Sequence, residues 1–277
     1  MTAAAVTMPV AASGIVLAAI RVVLFIGWAA VLLPFVLLGR VIGRNTADLR
    51  RLFFRVLCRI FGIDVVLHGA PAHARPLLIA SNHISYLDIF AFGSIAELEF
   101  VSKEEVASWP VFGFLAKAGD TVFIDRRRSQ SAQARDSMSA RLAAHRMLVF
   151  FPEATSGDGN RLLPFKSALF AVAQAMDEPA DGGRRHSVTV QPAAIAYTRL
   201  NGLPTGFGWR PFFAWYGDMT MVGHLWQFLQ LGKTTVEIVF LPPLDADALA
   251  DRKTMAAATE AAVRKGFNGL IQGRVPV

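Results

Sequence analysis

Apolar and polar positions change their period near residue 62. Positions 22–39 are apolar without interruption, an 18-residue run near the lower end of the roughly 17–25 residues that a helix needs to cross a bilayer. Within the wider stretch 15–38 the one charged position is Arg21. A spacing of three and four residues then takes over. Leu49, Leu52, Phe53, Val56, Leu57, Ile60 and Phe61 fall on one stripe of a helix, and Arg51, Arg55 and Arg59 follow another. An apolar stripe beside a basic one suits a helix lying among anionic headgroups. Residues 1–62 are therefore expected to be two membrane-anchoring helices, an apolar one over 15–38 and a basic amphipathic one over 45–62. They form either a span followed by a surface helix or a hairpin that enters one leaflet. A cleaved signal carries its positive charge ahead of the apolar run, whereas here residues 1–14 hold no Lys or Arg and Arg40 and Arg44 follow. That asymmetry reads as an anchor with the rest of the chain on the cytoplasmic face.

From residue 63 onward short apolar or β-branched runs alternate with helical patterns. Strands are expected at 65–67, 77–80, 100–102, 122–124, 147–151, 188–197 and 236–241, and helices at 85–96, 104–117, 130–144, 165–176, 219–231 and 251–271. Asp251 suits the N-cap of the last helix. Such alternation predicts an α/β domain over 63–277, a mixed sheet flanked by helices.

The 277 residues correspond to about 1.8 average domains, enough for one α/β domain and an added element. With 53% hydrophobic and 18% charged residues and a mean hydropathy of +0.41, disorder is excluded. A net charge of +7 points to an anionic partner. Because the cations lie beside the apolar run and no nucleic-acid recognition motif occurs, that partner is expected to be an anionic membrane surface and not nucleic acid. Cys58 is the single cysteine, so no intrachain disulfide is possible. His68, His73, His145, His186 and His224 lack metal-ligand spacing, and neither metal nor cofactor is expected.

Two strand ends carry candidate chemistry. The 77–80 run leads into Ser81-Asn82-His83-Ile84-Ser85-Tyr86-Leu87-Asp88. Within one helix, residues five apart lie about 140° from each other and do not meet. His83 and Asp88 pair only if His83 sits on the strand-to-helix turn and Asp88 in the first turn after it. The carboxylate then fixes the tautomer of the imidazole, raises its basicity and frees its other nitrogen to take a proton. Chance alone supplies about 0.3 such pairs in this composition, so the motif needs support. Support comes from the second strand end, Phe151-Pro152-Glu153-Ala154-Thr155-Ser156-Gly157-Asp158-Gly159, a small polar loop able to present N–H groups and hydroxyls to an acceptor. Gly119 to Arg126 ends a third strand in a cation.

In order, these blocks resemble the glycerolipid acyltransferases, the family of 1-acyl-sn-glycerol-3-phosphate acyltransferase. Asn82-His83-x4-Asp88 matches its catalytic block, 119–126 its second, Phe151-Pro152-Glu153 its third, and Val190-Gln191-Pro192-Ala193-Ala194-Ile195 its fourth. The resemblance spans about residues 60–245. It implies transfer of a fatty acyl group from acyl-ACP or acyl-CoA to a lysolipid hydroxyl at the inner membrane, with His83 as base and Asp88 as its orienter. Asn82, Arg126, Glu153, Ala154, Thr155, Ser156, Arg161 and Lys166 are the implied substrate-binding residues. A thioester is already activated, so positioning and a base suffice.

One position departs from the pattern. The family's third block continues Gly-Thr-Arg after its glutamate, where this chain has Ala154-Thr155-Ser156. Serine cannot replace a bidentate guanidinium on phosphate. Either Arg126, Arg161 or Lys166 supplies the charge, or the acceptor carries another head group. The 156–167 stretch and Trp215-Tyr216-Gly217-Asp218-Met219 with His224-Leu225-Trp226 resemble the branch that acylates lyso-ornithine lipid. Phosphatidic acid and ornithine lipid synthesis both remain open, and a non-catalytic lipid-binding or scaffold protein is the competing class.

Overall fold

The computed structural model describes residues 12–108, 113, 121–124, 132–173, 188–245 and 249–274. Two helices lead, α1 (Ala12–Val41) and α2 (Ala47–Phe61). Ile15, Val16, Ile20, Val23, Leu24 and Ile26 of α1 face outward, as expected for a helix whose solvent is lipid. α2 buries Leu57, Cys58 and Phe61 and lies across α3 (Leu87–Ile95). Gly93 permits this approach, because a β-carbon there would sit 2.4 Å from the Phe54 ring. Gly62 stops α2 in the left-handed conformation, φ 73°, that glycine adopts without a side-chain penalty.

The sheet comprises β1 (Ile63–His68), β2 (Leu77–Ser81), β3 (Glu99–Lys103), β4 (Val122–Ile124), β5 (Met147–Phe150), β6 (Thr189–Leu200), β7 (Leu203–Pro204) and β8 (Thr234–Phe240). Its order is β1-β8-β6-β2-β5-β3-β4, with β7 paired to β6. β6, β2, β5, β3 and β4 run parallel. β8 is antiparallel to β6, and β1 is parallel to β8, so the sheet is mixed. β2 is buried at every position, which accounts for its unbroken Leu-Leu-Ile-Ala run. Further helices are α4 (Ala132–Ala143), α5 (Met221–Leu229) and α6 (Arg252–Ile271). Asp251 does cap α6, accepting the N–H groups of Lys253 and Thr254.

Two expected helices differ. The 104–117 pattern opens as a 3-10 turn, Glu104–Ser108, and the 165–176 pattern as another, Ser167–Phe170, which runs on as α-helix over 171–173; residues 109–112, 114–117 and 174–176 lie outside the described residues. The short β7 carried no alternating pattern and was not expected. Because β2, β3, β4 and β5 are parallel, Ser81, Lys103, Ile124 and Phe150 end on one sheet edge, where open α/β sheets place their ligands.

Candidate active site

The turn after β2 brings His83 and Asp88 together. Asp88 is the second residue of α3 and fully buried. Its Oδ2 faces His83 Nδ1 at 2.9 Å and also accepts the N–H groups of Ile84 (2.7 Å) and Ser85 (3.0 Å). Tyr197 on β6 donates its hydroxyl to Oδ1 at 2.8 Å. One carboxylate thus folds the whole turn around itself, and its charge is distributed over four donors. The His83 ring stacks on Phe151, centroids 4.0 Å apart at 14°, while its side chain stays 18% exposed. With Nδ1 engaged by a carboxylate, Nε2 is the nitrogen left to accept a proton from a substrate hydroxyl.

Asn82 fixes the turn to the sheet. Its amide donates to the Ile195 carbonyl at 3.0 Å and accepts the Ile195 N–H at 2.9 Å, joining the first block to the fourth. It is buried, and these two partners are backbone atoms, so it braces the turn against β6.

The third block closes around the same turn. Glu153 accepts the His83 N–H at 3.2 Å, and the Gly157 N–H donates to the His83 carbonyl at 2.9 Å. Burial pushes the Glu153 carboxyl up to about 8, against the lowering effect of the His83 and Leu163 N–H groups, so it is largely neutral at pH 7. Ala154 holds a positive φ of 63°, which explains why the resembling family has glycine there. Thr155, Arg161 and Lys166 are exposed around this loop. Arg126 lies outside the described residues.

Ser156 ties this loop to the 215–219 segment. It is buried, and its hydroxyl donates to the carbonyl of Trp215. Trp215 in turn donates its N–H to the Ile84 carbonyl at 3.0 Å, and its indole N–H to the Met219 carbonyl at 2.8 Å. Tyr86, within the His83–Asp88 turn, packs edge-on against Trp215 and shares a 3.0 Å hydrogen bond with His224 Nδ1 of α5. His224 is buried; desolvation lowers it to about 4, so it stays neutral and serves structure.

Tyr197, Phe151, Trp215 and the Tyr86–His224 pair were missed as site residues. Tyr197 falls just beyond the fourth block, and the signal for Trp215 lay in the 215–219 resemblance. Among the described residues, no cluster of His, Cys, Asp and Glu is arranged to hold a metal ion. Arg55, one of the three stacked cations of α2, donates to the Ser94 carbonyl at 2.9 Å.

The acyltransferase family model matches residues 64–196. The chain is 39% identical to the lyso-ornithine lipid O-acyltransferase of Rhizobium meliloti (strain 1021), over 82% of this chain and 77% of that one. It is likewise 39% identical to the enzyme of that name from Brucella abortus (strain 2308), covering 80% and 82%. Against the 1-acyl-sn-glycerol-3-phosphate acyltransferase of Neisseria gonorrhoeae the identity is 33%, covering 70% and 71%. The crystal structure of the 1-acyl-sn-glycerophosphate acyltransferase of Thermotoga maritima superposes with a TM-score of 0.60 at 19% identity, over 95% of this chain and 98% of that one. That likeness establishes the fold, and the 39% relatives establish the lineage: the chain belongs to the acyltransferase family.

Proposed function

We propose that the protein is a membrane-associated O-acyltransferase that makes ornithine lipid by acylating the free hydroxyl of lyso-ornithine lipid, with acyl-ACP or acyl-CoA as donor. The observation that carries the chemistry is the buried Asp88 carboxylate on His83 Nδ1. The acceptor hydroxyl gives its proton to His83 Nε2 as its oxygen attacks the thioester carbonyl. The C–S bond then breaks, and the proton passes from the imidazole to the leaving thiolate. His83 ends as it began, and no covalent enzyme intermediate is needed.

The head-group assignment rests on Ser156 and on the lyso-ornithine names borne by the 39% relatives. Phosphatidic acid synthesis from lysophosphatidic acid is the second reading, favoured by the exposed Arg161 and Lys166 beside the Ser156 loop. α1 and α2 serve as the anchor, and residues 63–277 as the catalytic domain, on the cytoplasmic face of the inner membrane. Anchoring is supported by the outward-facing apolar side chains of α1. A direct test supplies purified protein with labelled acyl-ACP or acyl-CoA and, separately, lyso-ornithine lipid and lysophosphatidic acid. Ornithine lipid as the main product supports the assignment. Preferential phosphatidic acid formation gives the site to the second reading.

A further inference from the structure

We propose that Ser156 governs acceptor choice without touching the acceptor, by fastening the 215–219 segment to the catalytic turn. The inference rests on the lysolipid acyltransferase reading above. Three hydrogen bonds form a continuous path. Asp88 holds the Ile84 N–H, the Ile84 carbonyl accepts the Trp215 N–H, and the Trp215 carbonyl accepts the Ser156 hydroxyl. Gly157, the next residue after Ser156, binds the His83 carbonyl. Residues 84, 157 and 215 are thus each one bond from the base or its neighbour. An acceptor hydroxyl placed on His83 Nε2 brings its head group against this wall.

Position 156 is where the resembling family carries an arginine. Here its side chain is buried and directed at a backbone carbonyl within hydrogen-bond reach. A guanidinium there must displace the 215–219 segment or turn the 154–159 loop away from His83. Both movements open the wall. The His83–Asp88 turn has supports outside the 154–159 loop in Asp88 and Asn82, so loosening the wall acts on acceptor binding more than on the proton-transfer step. Ser156 is therefore a positioning residue, and the chain's lack of arginine is coupled to the presence of Trp215.

The test uses the full-length protein in nanodiscs as wild type, Ser156→Ala, Ser156→Thr and Ser156→Arg. Two readouts are taken: kcat and KM for lyso-ornithine lipid and for lysophosphatidic acid, and hydrogen exchange of the Trp215 amide. Ser156→Ala should raise KM for the preferred acceptor by about tenfold, the scale of one lost hydrogen bond, and speed Trp215 exchange. Ser156→Thr, which keeps the hydroxyl, should restore both. Ser156→Arg should speed exchange and weaken the use of both acceptors. Unchanged exchange and KM in Ser156→Ala would overturn the proposal. So would a Ser156→Arg protein that gains lysophosphatidic acid with Trp215 exchange unaltered, since the side chain would then reach the head group itself. A wild type that consumes neither lipid defeats the functional reading, while the exchange measurement still decides whether Ser156 holds Trp215.

Discussion

Tyr197 donates its hydroxyl to the one Asp88 oxygen that does not face His83. The two residues are separated by 109 positions in sequence, and the sheet brings them together because β6 lies directly beside β2. Burial holds the Tyr197 phenol well above its ordinary range, so it remains a donor at every working pH. Tyr197→Phe leaves Oδ1 of a fully buried carboxylate without its donor. Thermal unfolding should show a loss of about 1–3 kcal/mol, and the rate should drop about tenfold as the carboxylate loses its fixed orientation. A variant with wild-type stability and rate would show that the other three donors suffice.

Arg21 fastens α1 to the end of α5. Its guanidinium is buried and donates to the Leu229 carbonyl at 2.9 Å and the Leu231 carbonyl at 2.7 Å, at the C-terminus of α5, where carbonyls lack helical partners. Arg21→Met should destabilise by about 2 kcal/mol or more, and hydrogen exchange should rise across 229–233. Gly62→Ala should act similarly, because its β-carbon would lie 2.2 Å from the Arg21 guanidinium and the residue sits at φ 73°. Unaltered exchange at 229–233 in both variants would mean that α1 is not held this way.

Stability against pH should carry the marks of Glu153 and His224. Glu153 is raised from 4.5 to about 8, so between these values the folded state binds a proton that the unfolded state has released. Its contribution to stability therefore falls as pH rises, by at most about 1.4 kcal/mol per unit. His224 is lowered from 6.5 to about 4, so its contribution is lost as pH falls through that window. The two slopes oppose each other between pH 4.5 and 6.5, and above 6.5 that of Glu153 stands alone. Glu153→Gln, which keeps a neutral side chain of the same shape, should flatten the decline between pH 6.5 and 8 in denaturant titrations. An equal decline in the variant would mean that Glu153 is ionised in the fold.

Much of this arrangement was legible because it is local. The strand before His83, the five-residue offset to Asp88 and the Asp251 cap each depend on neighbours within one turn, and each is found as expected. The 104–117 and 165–176 patterns misled at their starts, since apolar spacing alone does not separate an α-helix from a 3-10 turn. Tertiary pairings were not legible. Nothing near position 156 announces that its hydroxyl meets residue 215, and nothing near Arg55 shows that the Ser94 carbonyl holds it. Nor does anything near Asn82 show that its amide bonds the Ile195 backbone, on a strand more than a hundred residues later.

If Asp88 makes His83 a base, both side chains are needed for turnover and neither for folding. The most direct measurement compares acyl transfer to lyso-ornithine lipid by the wild type, His83→Ala and Asp88→Asn, with thermal unfolding of each recorded under the same conditions. Both variants should fold, and His83→Ala should form essentially no product. In Asp88→Asn, turnover should fall by several orders of magnitude, because an amide does not hold the required tautomer. A folded Asp88→Asn protein with near-normal turnover would mean that His83 does not depend on Asp88.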